Sequence, residues 1–373
     1  MIYFDNSATS FPKPDIVYQK MLDLYKKFGV NPHRGNYKLS FEAGMIVDET
    51  RNIVSKFFNS YRKDFVVFTL NATDALNMAI KGILEDGDEV ITTVLEHNSV
   101  LRPLNHLKKE KNIKLKILDI KDEEISITEL KKSLSKRTKL VIVNHISNVT
   151  GYIQDIKTIG ETVKNNSTAF FMVDASQSAG IIPIDQKDSK IDILITTGHK
   201  ALYAPTGIGL MLLNPLVKIR PLRTGGSGHS SENPFQPEEM PDFLEAGTLN
   251  TLGIFGLKAG IEYIKEIGIE NILRKELFLK NLFLENLNSK NFKIFTSKKD
   301  SAPIISLTSS KYSPIELSTI LDEHNIATRS GLHCAPLLHK SLKTFPEGTL
   351  RISLGYFNKE EEIFELAKIL NNL

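Results

Sequence analysis

Four short stretches put reactive side chains just beyond the ends of apolar runs. "DILITTGHK" (192–200) ends on His199 and Lys200. "AFFMVD" (169–174) delivers Asp174, with Gln177 close behind, and "ITTVLEHNSV" (91–100) places His97. "VVFTL" (66–70) runs into "NATDAL", where Asn71, Ala72 and Thr73 open a helical pattern. Singly, each has an ordinary reading: Asn71 or Thr73 caps a helix, a strand-end Asp caps the next one, and a lone histidine is a hydrogen-bonded structural residue. Together they supply a complete chemistry. A helix N-terminus seats a phosphate, a lysine condenses with an aldehyde, a carboxylate keeps a pyridine nitrogen protonated, and an imidazole covers a ring. That set matches pyridoxal 5'-phosphate.

Other chemistries lack their motifs. There is no G-x-G-x-x-G and no G-x-x-x-x-G-K-[ST], which sets aside dinucleotide and Walker-type loops, and there is no H-E-x-x-H. "GGSGHSS" (225–231) lacks the spacing of a nucleophile elbow. His333, Cys334 and His339 could in principle cluster round a metal, but Pro336 interrupts them and no carboxylate adjoins, so no metal is expected. Cys334, in "RSGLHCAP" (329–336), is the single cysteine of the chain. It reads either as a small buried hydrophobe or as a nucleophilic thiol.

The elements that must carry these groups follow from the patterning. Seven β-branched runs, 64–70, 88–94, 115–120, 139–146, 169–174, 192–197 and 207–213, read as strands buried on both faces. Amphipathic stretches over 72–84 and 156–166 lie between some of them, which predicts an α/β fold with a mainly parallel sheet and ligands at the strands' carboxyl ends. Residues 220–250, rich in Gly, Ser and Pro, read as a long functional loop. A helix over 250–268 then leads to a smaller α+β unit with strands in "APIISLTS" and "GTLRISL" and a C-terminal helix. The expected division is a large domain over 15–250 and a small one from 1–14 and 251–373. With 373 residues, 41% hydrophobic and 24% charged, the chain can bury a substantial core. A net charge of +3 gives no reason to expect nucleic acid or an anionic membrane as partner. One cysteine rules out an internal disulfide and suits a reducing cytoplasm. Asp5 interrupts any signal-peptide core, and no run is long enough to span a bilayer.

Nearly end to end, the chain resembles the cysteine desulfurases of the class V aminotransferase fold (PLP fold-type I), in the short cysteine-loop branch that also holds selenocysteine lyases. The likeness is carried by "FDNSATS", "NPHRG", "EHNSV", "HISNVTG", "VDASQS", "TTGHK", "EAGTLNT", "RSGLHCAP" and "GTLRISLGYFN". The resemblance implies Lys200 as Schiff-base lysine and proton shuttle, and His97 stacked on the cofactor ring. It implies Asp174 on the pyridinium nitrogen and Gln177 on the ring hydroxyl. Ala72, Thr73, Thr197 and His199 would hold the phosphate, joined by Thr248 from the partner of a homodimer. Asn148 and Arg351, with Arg329 and His33, would bind the substrate, L-cysteine or selenocysteine. Cys334 would take the sulfur as a persulfide and hand it to an acceptor protein, as in iron–sulfur cluster assembly. The likeness departs at His97-Asn98, where many relatives carry two histidines in succession. A C–S lyase on the same scaffold, and a non-catalytic sulfur-carrier docking protein, are the alternatives.

Overall fold

The apolar runs become strands because their side chains alternate between two dry layers. In the computed structural model, which describes residues 1–228, 232–297 and 302–373, seven strands form one sheet. They are β1 (Val66–Thr69), β2 (Glu89–Thr93), β3 (Lys114–Leu118), β4 (Thr138–Asn144), β5 (Phe170–Asp174), β6 (Ile193–Thr197) and β7 (Gly209–Leu213). Their order is β1-β7-β6-β5-β4-β2-β3, and only β7 runs antiparallel to its neighbours. Phe171 and Val173 of β5 enter one core and Met172 the other. β3 departs from the expectation of two buried faces: it is the edge strand, and Lys114, Lys116 and Ile117 are exposed.

Helices α1 (Asp15–Phe28) and α2 (Lys38–Phe57) cover the first face, and α3 (Ala72–Ile83) and α4 (Asn98–Glu110) the second. Helix Thr251–Ile267 also packs on the first face, through Ile254, Phe255 and Leu257. A third core lies against a four-stranded antiparallel sheet of Phe292–Phe295, Ile304–Ser309, Thr349–Ser353 and Arg329–Gly331. The chain's beginning belongs there too: Ile2–Tyr3 pairs with Ile326–Ala327, and Phe4 is fully buried. Between 220 and 250 the described residues form neither helix nor strand; His229–Ser231 of "GGSGHSS" lie outside them. No helix is long and apolar enough to cross a membrane, among the described residues.

Candidate active site

Parallel strands end together, so the loops after β1, β2, β5 and β6 converge on one cavity of about 220 Å³. After β1, Asn71 caps α3 by accepting the Asp74 N–H at 2.9 Å. The capping thus expected from sequence is real, and it leaves the first-turn amides of Ala72 and Thr73 as those a helix cannot satisfy internally. Gly209 of β7 makes room for this turn, since a Cβ there would lie 2.4 Å from the Asn71 carbonyl carbon. Asp74 is tied sideways to Arg223 through two bonds of 2.8 and 2.9 Å, so its carboxylate is occupied away from the cavity.

After β2, His97 caps α4, its Nδ1 accepting the Ser99 N–H at 3.0 Å. The neutral ring therefore carries its hydrogen on Nε2. Ser99 Oγ lies 2.8 Å from the same nitrogen and 2.7 Å from Thr73 Oγ1, linking the two helix starts. Burial is the main cause holding His97 below its ordinary pKa, with Lys200 and Arg329 adding to it and Asp174 opposing. Behind it, buried Glu96 accepts from Thr93 Oγ1 at 2.8 Å and the Asn144 N–H at 3.0 Å, clamping the ends of β2 and β4. Burial pushes its carboxyl up to about 8.

Asp174 is buried at the end of β5, and Ser176 fixes it by donating both its N–H (2.9 Å) and its hydroxyl to Oδ1. The Lys200 turn is held from outside by the N-terminal arm. The His199 carbonyl accepts from Thr9 Oγ1 at 2.9 Å and Lys13 Nζ at 2.9 Å, and the Lys200 carbonyl from Ser10 Oγ at 2.9 Å. Burial pushes Lys200 down to about 8; Asp174 opposes that shift, and Arg351 and Arg329 reinforce it. His199 is pushed down to about 4 by burial, then by Lys200 and Lys13, and its Nδ1 is buried without a partner.

The opposite wall comes from the four-stranded sheet. Arg351 is 1% exposed; its Nη1 donates to the Asn148 carbonyl at 3.1 Å and its Nη2 to Asp5 Oδ1. Asn148 Nδ2 donates to the His333 carbonyl at 2.7 Å. Cys334 follows, with φ of +47° at His333 and +58° at Cys334, a left-handed pair that turns the chain sharply. Gly331, at φ +105°, takes the conformation that starts the turn. The Cys334 carbonyl accepts the Asn98 N–H at 2.7 Å, and Ala335 and Leu338 pack with Leu95 and Val149, so the loop is docked on both sides.

The cavity thus gathers Lys200, His97, Ala72, Thr73, Asp174, Gln177, Thr197, His199, Asn148, Arg329 and Arg351. Cys334 lines an adjoining groove that shares Thr73, His97 and Ser99 with it. Gln177 uses its Nε2 on the Ser7 carbonyl at 2.9 Å, and the Thr197 hydroxyl donates to the Ile208 carbonyl at 3.4 Å. Two expected residues stand apart. His33 pairs with Asp48 of α2 at 3.2 Å and lines a separate pocket with Arg51 and Glu245, and Thr248 is exposed. The histidines beside Cys334 face other partners: His333 Nε2 is 3.1 Å from the Thr349 carbonyl and His339 Nδ1 2.8 Å from Thr344 Oγ1. No three His, Cys, Asp or Glu side chains gather as a metal site among the described residues.

Sequence reasoning passed over Asp5, Glu96, Ser99 and Ser176. Ser176 had a local signal, since a residue two positions after an Asp readily donates back to its carboxylate. Asp5 had none, because its partner is 346 residues away. The donor set fits an anionic aldehyde cofactor: free helix amides with Thr73 and the unpartnered His199 Nδ1 for a phosphate, an amine of lowered pKa for an aldehyde, and a fixed carboxylate for a ring nitrogen.

The aminotransferase class-V family model matches residues 2–366. A probable cysteine desulfurase of Pyrococcus abyssi is 36% identical, over 100% of this chain and 94% of that one. Another from Borreliella burgdorferi is 32% identical, over 100% and 92%. The apo structure of a cysteine desulfurase from Thermococcus onnurineus NA1 superposes with a TM-score of 0.92 at 34% identity, covering 100% of this chain and 94% of that one. With the family pattern matched over almost its whole length and the overall fold shared, the chain belongs to the class-V aminotransferases.

Proposed function

We propose that this protein is a pyridoxal phosphate-dependent cysteine desulfurase, converting L-cysteine to L-alanine and retaining the sulfur on Cys334 as a persulfide. The observation that carries this reading is the thiol's place. Cys334 lines a groove that adjoins, and shares Thr73, His97 and Ser99 with, the cavity that holds Lys200 and Asp174. Pyridoxal 5'-phosphate, the cofactor of this family, supplies an electron sink for the amino acid's α-carbon when bound. The first turn of α3, Thr73, Thr197 and His199 would hold its phosphate, Asp174 its ring nitrogen, Gln177 its ring hydroxyl and Lys200 its aldehyde carbon. Lys200, depressed to about 8, is a base strong enough to take a proton and weak enough to return it near neutrality. His97 stays neutral beside it. Arg351, Arg329 and Asn148 orient the substrate carboxylate. The sulfur step balances without an external oxidant: the cysteine C–S bond breaks, an S–S bond to Cys334 forms, and the carbon keeps the electron pair and takes up a proton.

The same reading extends outward from the site. Thr248, exposed and outside its own chain's cavity, supports a homodimer in which it reaches the partner's phosphate seat. The chain divides into a large domain over 15–250 and a small one from 1–14 and 251–373, with helix Thr251–Ile267 packed on the large domain's first face. A protein acceptor in the cytoplasm, on a route such as iron–sulfur cluster assembly, receives the persulfide sulfur. The test compares wild type with Cys334→Ala for alanine release from L-cysteine and from L-selenocysteine. Loss of the cysteine activity with cofactor retained is the expected result. Retention of that activity in the variant would make the thiol a packing residue and the protein a C–S lyase.

A further inference from the structure

Two guanidinium groups meet at the carboxylate end of the cavity, and only one of them has an anion. Arg329 and Arg351 are register partners on adjacent antiparallel strands. Arg351 is bound by Asp5 at Nη2 and by the Asn148 carbonyl at Nη1, while its Nε is buried with no partner. Arg329 lines the same cavity and forms no ion pair among the described residues. Asp5 is not free to leave: its backbone bridges to Ser353, the strand neighbour of Arg351, and its carbonyl accepts the Tyr3 hydroxyl at 3.1 Å. One of the two terminal nitrogens with which Arg351 could bind a substrate carboxylate is therefore already taken by a carboxylate of the chain itself.

We infer that Asp5 is a positioning and charge-selecting residue. It locks the Arg351 guanidinium in place and cancels one of two positive charges, so that this end of the cavity accepts one carboxylate and disfavours a second. The inference rests on the reading of the cavity as an amino-acid site. Two cations against one fixed anion leave a single unmatched charge, enough for the α-carboxylate of cysteine or alanine. An amino acid with an acidic side chain brings a second anion, which at the Arg329–Arg351 end meets no further unmatched cation and is repelled by Asp5.

The experiment measures L-alanine and L-aspartate binding to the holoenzyme by calorimetry and as competitive inhibition, for wild type, Asp5→Asn and Asp5→Glu. Asn keeps the shape and the acceptor oxygen but removes the charge. The ratio of aspartate to alanine affinity should rise about tenfold in Asp5→Asn, the scale of one added unit charge at close range, and Asp5→Glu should stay near wild type. An unchanged ratio, with alanine still bound by the wild type, overturns the inference and leaves the amino-acid site standing. If the wild type binds neither amino acid, both fall. Arg329→Met gives an independent measurement should Asp5→Asn not fold: KM for L-cysteine, compared at a pH where Lys200 is neutral in both proteins, should rise about tenfold from loss of the one unmatched charge. An unchanged KM there also overturns it.

Discussion

The two walls of the site are built by different means. On the sheet side, each functional group sits at the end of a buried strand or within four residues of it, and local hydrogen bonds finish the placement: Asn71 to Asp74, His97 to Ser99, Asp174 to Ser176. On the small-sheet side, placement is long-range. Asp5 meets Arg351 across 346 residues, Asn148 meets His333 across 185, and the Asn98 N–H holds Cys334. The first wall is set by strand ends, with the N-terminal arm bracing its Lys200 turn, and it carries the groups that would hold the cofactor. The second depends on the third core being docked against the first two, and it is the wall that handles the substrate carboxylate and sulfur. Cofactor retention and sulfur transfer should therefore separate under mutation.

The largest effect tests the sheet side. Lys200→Ala removes the amine that bonds the aldehyde and moves the proton, so cysteine turnover should fall by at least about 10³-fold. Spectra should show the loss of any lysine-linked chromophore, and borohydride treatment should no longer fix the cofactor to the chain. On the other wall, Leu338→Ala empties part of the small cluster of Leu95, Val149 and Ala335 that docks the cysteine loop. Cavity formation of this kind costs about 2–5 kcal/mol. Sulfur transfer should drop while the cofactor spectrum and affinity stay unchanged; simultaneous loss of cofactor would mean the walls are not separable.

This difference also governs what could be read from sequence. All seven sheet strands were legible, six of them because a two-faced buried strand is a largely apolar run. Lys200, Asp174, His97 and the α3 start followed from lying next to those runs. The edge position of β3 had a signal that was passed over: Lys114 and Lys116 alternate through the run, and lysines of this kind mark an edge strand. The second wall was legible only through family resemblance. Nothing local to Arg351 announces Asp5, and nothing local to Cys334 shows that Asn98 will hold its carbonyl or that Leu95 will pack beside the next residue. His33 illustrates the reverse case: the motif singled it out, but an Asp48 one helix away gives its imidazole a different partner.

A smaller effect sharpens the sheet side. Asn71→Ala removes the cap of α3, worth about 1 kcal/mol of stability. Because the same turn presents the amides that seat a phosphate, cofactor affinity should fall with it, measured by titrating pyridoxal 5'-phosphate into the cofactor-free protein. The thiol's position and the response of the protein to alkylation at Cys334 should not change.

The finest test asks whether the walls communicate electrostatically. Lys200 sits at about 8 rather than 10.5, by burial first, then with Asp174 pulling up and Arg351 and Arg329 pushing down. Only the neutral amine attacks an aldehyde, so in the cofactor-free protein the rate of chromophore formation should rise with pH and level off above about 8. The folded lysine binds its proton less tightly than an exposed one, so between that value and 10.5 folding itself releases a proton, and stability gains with pH across that window. Arg329→Met removes one of the two cations while leaving burial intact. The midpoint should therefore move upward yet stay below 10.5, since the larger cause remains. An unmoved midpoint would mean that the small-sheet wall, for all its charge, acts on the substrate alone and not on the lysine facing it.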